Sequence, residues 1–257
     1  MATGRTASKY MRVYMDGVNV SGYSRSIGPL RHVYDEANVT ADYGDDVKRY
    51  LSNMASIGVG TLNGVFDNDA AGLYALAHNA GVARTIMVPI GIRAAPAQGD
   101  PVFCSVNVQN SYGASDDAGA VMATAEFGEW HGASLAGYDR PWGTLLHAPG
   151  AETAANTATG VDDWGATTAF GGYMMYQIFA SSVVSCTIKV QHADTNSDGS
   201  FSDLGGCTVN AVTVGAPSAG IVATTAPTTS VKRYLRWQIT IGGTSVNFTL
   251  AFVRGIR

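Results

Sequence analysis

Hydrophobic and polar positions alternate with a period of two along much of this chain, which is the pattern of β-strands that bury one face. In the first half, strands are predicted at residues 58–67, 85–90, 102–110 and 120–127. In the second half, they are predicted at residues 173–181, 185–192, 208–214, 221–225, 234–241 and 246–254. The pattern therefore predicts a mainly β fold with a β-sandwich in each half.

Short polar and glycine-containing segments mark the predicted turns between these strands. Asp16-Gly17 lies between two alternating runs and is a strong signal for a tight hairpin. Residues 113–119 predict another turn, and Gly242-Gly243 predicts a hairpin near the end of the chain. The polar segment 36–58 is too long for a hairpin turn, so it is predicted to be a functional loop.

One helix is predicted beside the first sandwich, near residues 68–80. An Asp-Asn-Asp sequence offers N-cap side chains just before residues 70–79, in which Leu73 and Ala77 lie on one face. Gly81 stands where the end of a helix is expected. The pattern predicts a short flanking helix within an otherwise β-rich half.

The residues of segment 148–163 are mostly small or polar and show no hydrophobic period, which is typical of a linker. It predicts a first β domain at residues 1–147, which contains the helix, and a second β-sandwich domain at residues 164–257.

The two halves have a similar order of predicted strands, which suggests a duplicated domain. The matched segments are residues 60–67 with 186–194, 103–110 with 235–241, and 121–127 with 248–252. Alternating sequences also match by chance, so both interpretations stay open. A duplicated domain would favour a ring of three chains with six similar positions.

The composition favours a protein that covers much of its surface in an assembly. Charged residues make up 14% of the chain, compared with about 25% in an average soluble domain. The net charge is −4, and residues 1–150 contain 10 Lys+Arg against 14 Asp+Glu, without the basic stripe of a nucleic-acid reader. No apolar run of about 18 residues predicts a membrane span. An ordinary monomeric β-sandwich remains the alternative.

Candidate catalytic and metal-binding residues form no consistent pattern. The five histidines and three cysteines lack metal-ligand spacing, and the odd cysteine count favours assembly in a reducing cytoplasm over a disulfide framework. Residues 194–199 resemble the start of a calcium-binding EF-hand loop, but Gly205 stands where its closing glutamate belongs. Since no nucleophile elbow or phosphate-binding loop occurs, we expect a non-enzymatic protein without metal or cofactor.

Five aromatic residues lie on either side of the predicted linker: Trp130, Tyr138, Trp142, Trp164 and Phe170. If they are exposed, they form a platform that could bind a sugar. If they are buried, they pack the linker between two domains or subunits. Packing is the favoured interpretation.

The order and spacing of motifs in the N-terminal part of the chain resemble the opening of siphophage major tail tube proteins. The matching segments are residues 16–26, 44–51 and 58–67, followed by the predicted helix. The resemblance implies β-sandwich subunits whose sheets join side by side into rings, and rings that stack into a hollow tube. It also implies that the 36–58 loop reaches the neighbouring ring, where charged residues of both signs would pair between subunits: Asp42, Asp45, Asp46, Lys48 and Arg49.

The function implied by this resemblance is that of a structural virion protein, the major tail tube subunit of a long non-contractile phage tail. Expected partners are further copies in rings of three (pseudo-sixfold) or six chains, the tape measure protein, and genome DNA in the lumen without sequence-specific binding. No membrane partner is expected, and the tail would assemble in the host cytoplasm. A mildly acidic chain suits such a conduit, because Lys or Arg contacts with phosphate would retain the DNA during genome ejection. The alternative is a carbohydrate-binding or decoration β-sandwich protein of the virion.

Overall fold

A computed structural model of the chain describes residues 6–38, 50–69, 72–130, 140–210 and 217–255. The described part is mainly β, which confirms the predicted fold class. In the first half its strands are β1 (Tyr14–Met15), β2 (Val18–Asn19), β3 (Ser24–Gly28), β4 (Arg31–Asn38), β5 (Tyr50–Gly58), β6 (Thr61–Val65), β7 (Ala83–Pro89), β8 (Pro101–Asp117) and β9 (Ala120–Trp130). Those that follow are β10 (Trp142–Glu152), β11 (Asn156–Thr157), β12 (Val161–Asp162), β13 (Gly172–Ala193), β14 (Ser202–Asn210), β15 (Ser218–Ala223) and β16 (Tyr234–Arg254).

These strands form an antiparallel sheet that continues from one half of the chain into the other. Its main path has the order β14-β13-β16-β10-β8-β7-β1-β2. In the first half, β9 pairs with β8, β6 and β5, while β6 also pairs with β3 and β5 with β4. In the second half, β11 and β12 pair with β16, and β15 pairs with β13. Because β10 pairs with both β8 and β16, backbone hydrogen bonds join the two halves.

The first hairpin forms as predicted, because Asp16 and Gly17 adopt the positive φ angles, 51° and 81°, that a tight hairpin turn requires. This turn packs against the second half of the chain. The backbone N–H of Gly17 donates to Gln177 Oε1 at 2.6 Å, and Gln177 Nε2 donates to the carbonyl oxygen of Thr85 at 3.0 Å. A Cβ at position 17 would lie 2.6 Å from the backbone nitrogen of Ser218, so this close approach requires glycine.

The predicted helix is present but shorter than expected. It is α1 (Leu73–Ala77), and Leu73 and Ala77 are buried as the pattern predicts. Gly72 precedes it in an extended conformation with ψ 162°, at a point where a Cβ would lie 2.6 Å from the carbonyl oxygen of Asp67. The described helix therefore begins only after this close contact between backbone segments.

The two longest strands, β13 and β16, pair along almost their whole length, from Gly172 opposite Arg254 to Ala193 opposite Tyr234. The predicted hairpin at Gly242-Gly243 is therefore wrong, since both glycines lie inside β16. They face a stretch of β13 where the register shifts. A register shift of this kind is typical of a β-bulge, which bends a strand without ending it. Small residues are suited to bulges as well as to turns.

The predicted linker is not an unpaired connection. Residues 148–152 continue β10, and β11 and β12 pair with β16. Small and polar residues can pair on the flank of a sheet, which composition alone does not reveal. The division into domains of residues 1–147 and 164–257 stays a prediction.

Part of the predicted correspondence between strands of the first and second halves is also wrong. Residues 103–110 and 121–127 lie on β8 and β9, two strands that pair with each other. Their counterparts, residues 235–241 and 248–252, lie on the single strand β16. The correspondence fails here because β16 does not turn where the first half does.

Buried apolar side chains form three clusters. One surrounds Leu62 and Leu73 in the first half, and another surrounds Trp237 and Phe248 in the second. The third cluster lies at the junction and contains side chains from both halves: Tyr14, Met87, Val102, Cys104, Leu145, Tyr173, Met175, Ala251 and Val253. The junction is therefore a packed core as well as a continuous sheet.

Within the described ranges, no helix is long and apolar enough to span a membrane.

Candidate functional site

The five residues assigned to an inter-ring loop, Asp42, Asp45, Asp46, Lys48 and Arg49, lie outside the described residues. The segments on either side of them are described. Strands β4 and β5 pair from Arg31 opposite Gly58 to Asn38 opposite Tyr50. The predicted loop 36–58 is therefore wrong at both ends, because pairing between β4 and β5 satisfies backbone groups that a long loop would leave to solvent.

Strands β3 and β4 are edge strands of the first half. In the part of the chain that the structure describes, β4 pairs with β5 alone and β3 with β6 alone. Val33 on β4 is 51% exposed, so an apolar side chain lies in solvent on an edge strand. An edge strand that exposes an apolar side chain can serve as a template for a strand of another chain.

The β14 end of the main path of the sheet is partly covered. Strand β14 pairs with β13, and its Gly205 carbonyl oxygen also accepts a hydrogen bond from the backbone N–H of Thr225 at 3.0 Å. One edge position of β14 is therefore already occupied within the chain.

The EF-hand-like segment, residues 194–199, uses its oxygen atoms within the protein. Asp194 Oδ1 accepts from Thr167 Oγ1 at 2.9 Å, and its Oδ2 lies 3.3 Å from Lys232 Nζ. Asp198 Oδ1 accepts from Arg236 Nη1 at 2.8 Å. The described residues contain no group of three or more His, Cys, Asp or Glu side chains placed to hold a metal ion.

The buried ring of His147 belongs to the second core. It stacks on Phe248 with 4.0 Å between ring centroids, and its Nε2 lies 3.2 Å from Glu152 Oε1. Burial lowers the pKa of His147 below its ordinary value of 6.5, and the hydrogen bond with Glu152 opposes this only in part. The ring is therefore neutral at pH 7 and acts in packing. Cys104, Cys186 and Cys207 are likewise buried and free.

A cleft lies where the first and second halves meet. It encloses about 210 Å³ beside the ends of β8, β10 and β16. Its lining residues are Pro101, Arg140, Trp142, Gly143, Thr144, Asp163, Trp164 and Arg254. This concave surface combines large aromatic rings with charged groups, so it is a candidate binding site.

The floor of the cleft is a buried ion pair between Asp163 and Arg254. Arg254 Nε donates to Asp163 Oδ2 at 2.7 Å, and the two side chains are only 3% and 4% exposed. Thr144 Oγ1 donates to the other carboxylate oxygen at 2.6 Å. The remaining Arg254 N–H groups donate to Thr168 Oγ1 and to the carbonyl oxygens of Val231 and Lys232, at 2.6–3.0 Å.

Two tryptophans form the walls of the cleft. Trp142 begins β10, is 40% exposed, and meets the Phe103 ring edge-on at 5.1 Å. Trp164 is 49% exposed, and the guanidinium of Arg140 lies 5.5 Å from its ring centroid. The interpretation that these two rings are buried between the two halves is therefore wrong. That they are buried between subunits stays a prediction.

A second ion pair holds the turn that carries Trp164. Asp162 accepts from Arg233 Nε at 3.0 Å and Nη2 at 2.5 Å, and from the backbone N–H of Gly165 at 2.8 Å. These hydrogen bonds, with that of Arg233 foremost, lower the pKa of Asp162. Gly165 has a φ of 74°, which lets the chain turn back directly after Trp164.

The sequence indicated the two tryptophans but not their surroundings. Phe170, from the same predicted cluster, is 41% exposed and does not line the cleft, while Tyr138 and the side chain of Trp130 lie outside the described residues. Asp163 and Arg254 were missed because nothing local connects them. Asp163 falls in the segment predicted as a linker, and Arg254 in a predicted strand.

Comparisons with known proteins give little further guidance. No family model matches the chain, and no curated protein matches it. Among solved structures, the chain is similar to the Dit protein (gp 19.1) of SPP1, described as "a Paradigm of Hub Adsorption Apparatus in Gram-positive Infecting Phages". The identity is 12% and the TM-score 0.37, over 94% of this chain and 98% of that chain. A likeness of this degree carries no argument about fold or function.

Proposed function

We propose that this chain is a structural virion protein and, more specifically, the major tail tube subunit of a long, non-contractile phage tail. The hairpin at Asp16-Gly17, strand β6 and the short helix α1 follow one another in the order that the sequence resemblance implies. Strands β4 and β5 pair over part of the segment where the resemblance implies a loop. The agreement at the hairpin, the strand and the helix supports the proposal.

The observation that carries the proposal is the open edge of β3 and β4 on a sheet that continues through both halves of the molecule. Subunits that join head to tail into a closed ring need a surface that each copy offers to the next. An edge strand that pairs with one neighbour alone among the described strands, and that exposes an apolar residue, Val33, is such a surface. The segment 39–49 links β4 to β5, and we propose that its charged residues contact the neighbouring ring.

The charge of the chain fits a conduit for DNA. With a net charge of −4, a lumen lined by this chain would not retain a duplex through many phosphate contacts. The proposed partners are further copies of the chain, the tape measure protein during assembly, and genome DNA that passes without sequence-specific binding. The proposed location is the virion tail, after assembly in the host cytoplasm.

The proposal is tested by placing a charge on the open edge. Val33→Lys puts an ammonium group on the edge strand β4 and should block pairing between copies, since lysine on an edge opposes strand addition. Ile92→Lys is the matched control, because Ile92 is similarly exposed at 46% but lies outside the strands. Both variants should keep the wild-type melting temperature, and only Val33→Lys should lose rings and tubes in electron micrographs.

The outcome also separates the alternatives. Tubes formed equally well by Val33→Lys would contradict the role of this edge, and a wild-type protein that stays monodisperse and monomeric at high concentration would favour the decoration protein instead. Native mass spectrometry of wild-type rings would distinguish three chains from six. A six-chain ring would remove the argument for duplication and leave the tube function intact.

A further inference from the structure

We propose that the cleft between Trp142 and Trp164 binds an acidic saccharide, that is, a pyranose ring that carries a carboxylate. This inference does not rest on the tube proposal, because the cleft belongs to a single chain. The cleft of about 210 Å³ is smaller than the pockets of roughly 300–1,000 Å³ that enclose drug-sized ligands. It therefore suits one ring of a longer chain that continues into solvent.

The tryptophans supply the apolar contact. Each is between 40% and 49% exposed, although a Trp ring in a folded chain is usually highly buried. A pyranose presents C–H groups on one face and hydroxyls around its rim, so its apolar face can lie on an indole while its rim stays in water. Two indoles on the walls of one small cleft can hold such a ring from two directions.

The turn that carries Trp164 is fixed before any ligand arrives. Asp162 and Asp163 precede Trp164 directly, and each is bound by an arginine, one at the surface and one in the interior. Trp142 is held in turn by its edge-on contact with Phe103. Side chains fixed in this way lose little conformational entropy on binding, which is how preorganised sites gain affinity.

The charges of the cleft select the acidic ligand. The charges of Asp163 and Arg254 neutralise each other. The residues that line the cleft therefore carry one net positive charge, which is that of Arg140. Among the described residues, Arg140 has no carboxylate partner, and its guanidinium lies beside the Trp164 ring. Its backbone is fixed, because Tyr173 Oη donates to the Arg140 carbonyl oxygen at 2.7 Å. A planar guanidinium can donate two parallel hydrogen bonds to a carboxylate.

The test uses the full purified chain and two matched probes. Trigalacturonic acid supplies the acidic rings, and its methyl ester has the same rings without charge. Binding is followed by isothermal titration calorimetry and by quenching of tryptophan fluorescence. We expect saturable binding of the acid, with the ester at least about tenfold weaker, since a charge-assisted bidentate pair is worth more than 1.4 kcal/mol.

Three variants assign the contacts. Trp164→Ala and Arg140→Gln should each weaken binding of the acid about tenfold. Phe170→Ala, which removes a ring that is 41% exposed outside the cleft, should not change binding. Arg140→Gln should also abolish the preference for the acid over the ester. Absence of saturable binding, or binding unchanged by both cleft variants, would overturn the site. Equal binding of acid and ester by the wild type would overturn the acidic specificity.

Discussion

Removal of the Asp163 carboxylate should destabilise the protein strongly. Asp163→Ala leaves the guanidinium of Arg254 buried at about 3% exposure without its counter-charge. The other Arg254 donors are held by Thr168, Val231 and Lys232, so the charge cannot easily move to solvent. Removal of one partner of a buried ion pair lowers the free energy of unfolding by about 3–5 kcal/mol. For a chain of this size, that corresponds to a decrease in melting temperature of roughly 6–20 °C.

The neighbouring residue provides the matched control. Asp162 also pairs with an arginine, at 2.5 Å, but its side chain is 39% exposed and that of Arg233 is 42% exposed. Solvent screens such a pair, so Asp162→Ala should shift the melting temperature only slightly. The two variants differ by one position in the same turn, which keeps backbone effects similar.

Urea and thermal unfolding, followed by circular dichroism, would measure both variants. Asp163→Asn adds a further comparison, because it keeps the shape and an acceptor for Thr144 while it removes the charge. Strong destabilisation by Asp163→Asn would identify the uncompensated charge as the cause. The reasoning is refuted if Asp163→Ala unfolds at the same denaturant concentration as Asp162→Ala.

Two further predictions concern pH and metal. Burial lowers the pKa values of His147 and His192 in the folded state. As the pH falls, these histidines therefore bind protons in the unfolded chain before they do so in the folded one. The free energy of unfolding should then decrease as the pH drops through about 6.5. The melting temperature should follow this slope in wild type and in the surface control His78→Gln, and a profile that is flat between about pH 7.5 and 5.5 would count against it. Chelators should leave the melting temperature and assembly unchanged, because Asp194 and Asp198 are already paired with Lys232 and Arg236. Restoration of a lost stability by added calcium would contradict this.

The sequence predicts local features of this fold well where short-range geometry decides them. Asp16-Gly17 forms its hairpin because the two residues tolerate the positive φ angles of the turn. The period of two identifies extended segments because it reports which face is buried, but it does not show where strands end, since β13 and β16 each join two predicted strands and β8 continues to Asp117. Gly242-Gly243 has no such unique meaning, since a glycine pair fits a turn and a bulge alike. Its partner strand, β13, decides between them, and that pairing is not visible in the local sequence.

In the candidate site, too, some features follow from the local sequence and others depend on distant parts of the chain. The tryptophans could be recognised from their residue type, but their exposure depends on which elements pack around them. The pairing of Asp163 with Arg254 joins positions 91 residues apart. Only the fold brings β12, β10 and the end of β16 together, so the charge balance of the cleft could not be predicted from the sequence.

The long pairing of β13 with β16 has a mechanical consequence. The two strands lie side by side from Gly172 opposite Arg254 to Ala193 opposite Tyr234, and β16 is joined through β10 to the strands of the first half. A force directed along these strands, from one end of the molecule to the other, loads many backbone hydrogen bonds in shear at the same time. A force across the strands would instead break them one after another. The chain should therefore resist extension most strongly along the axis of β13 and β16.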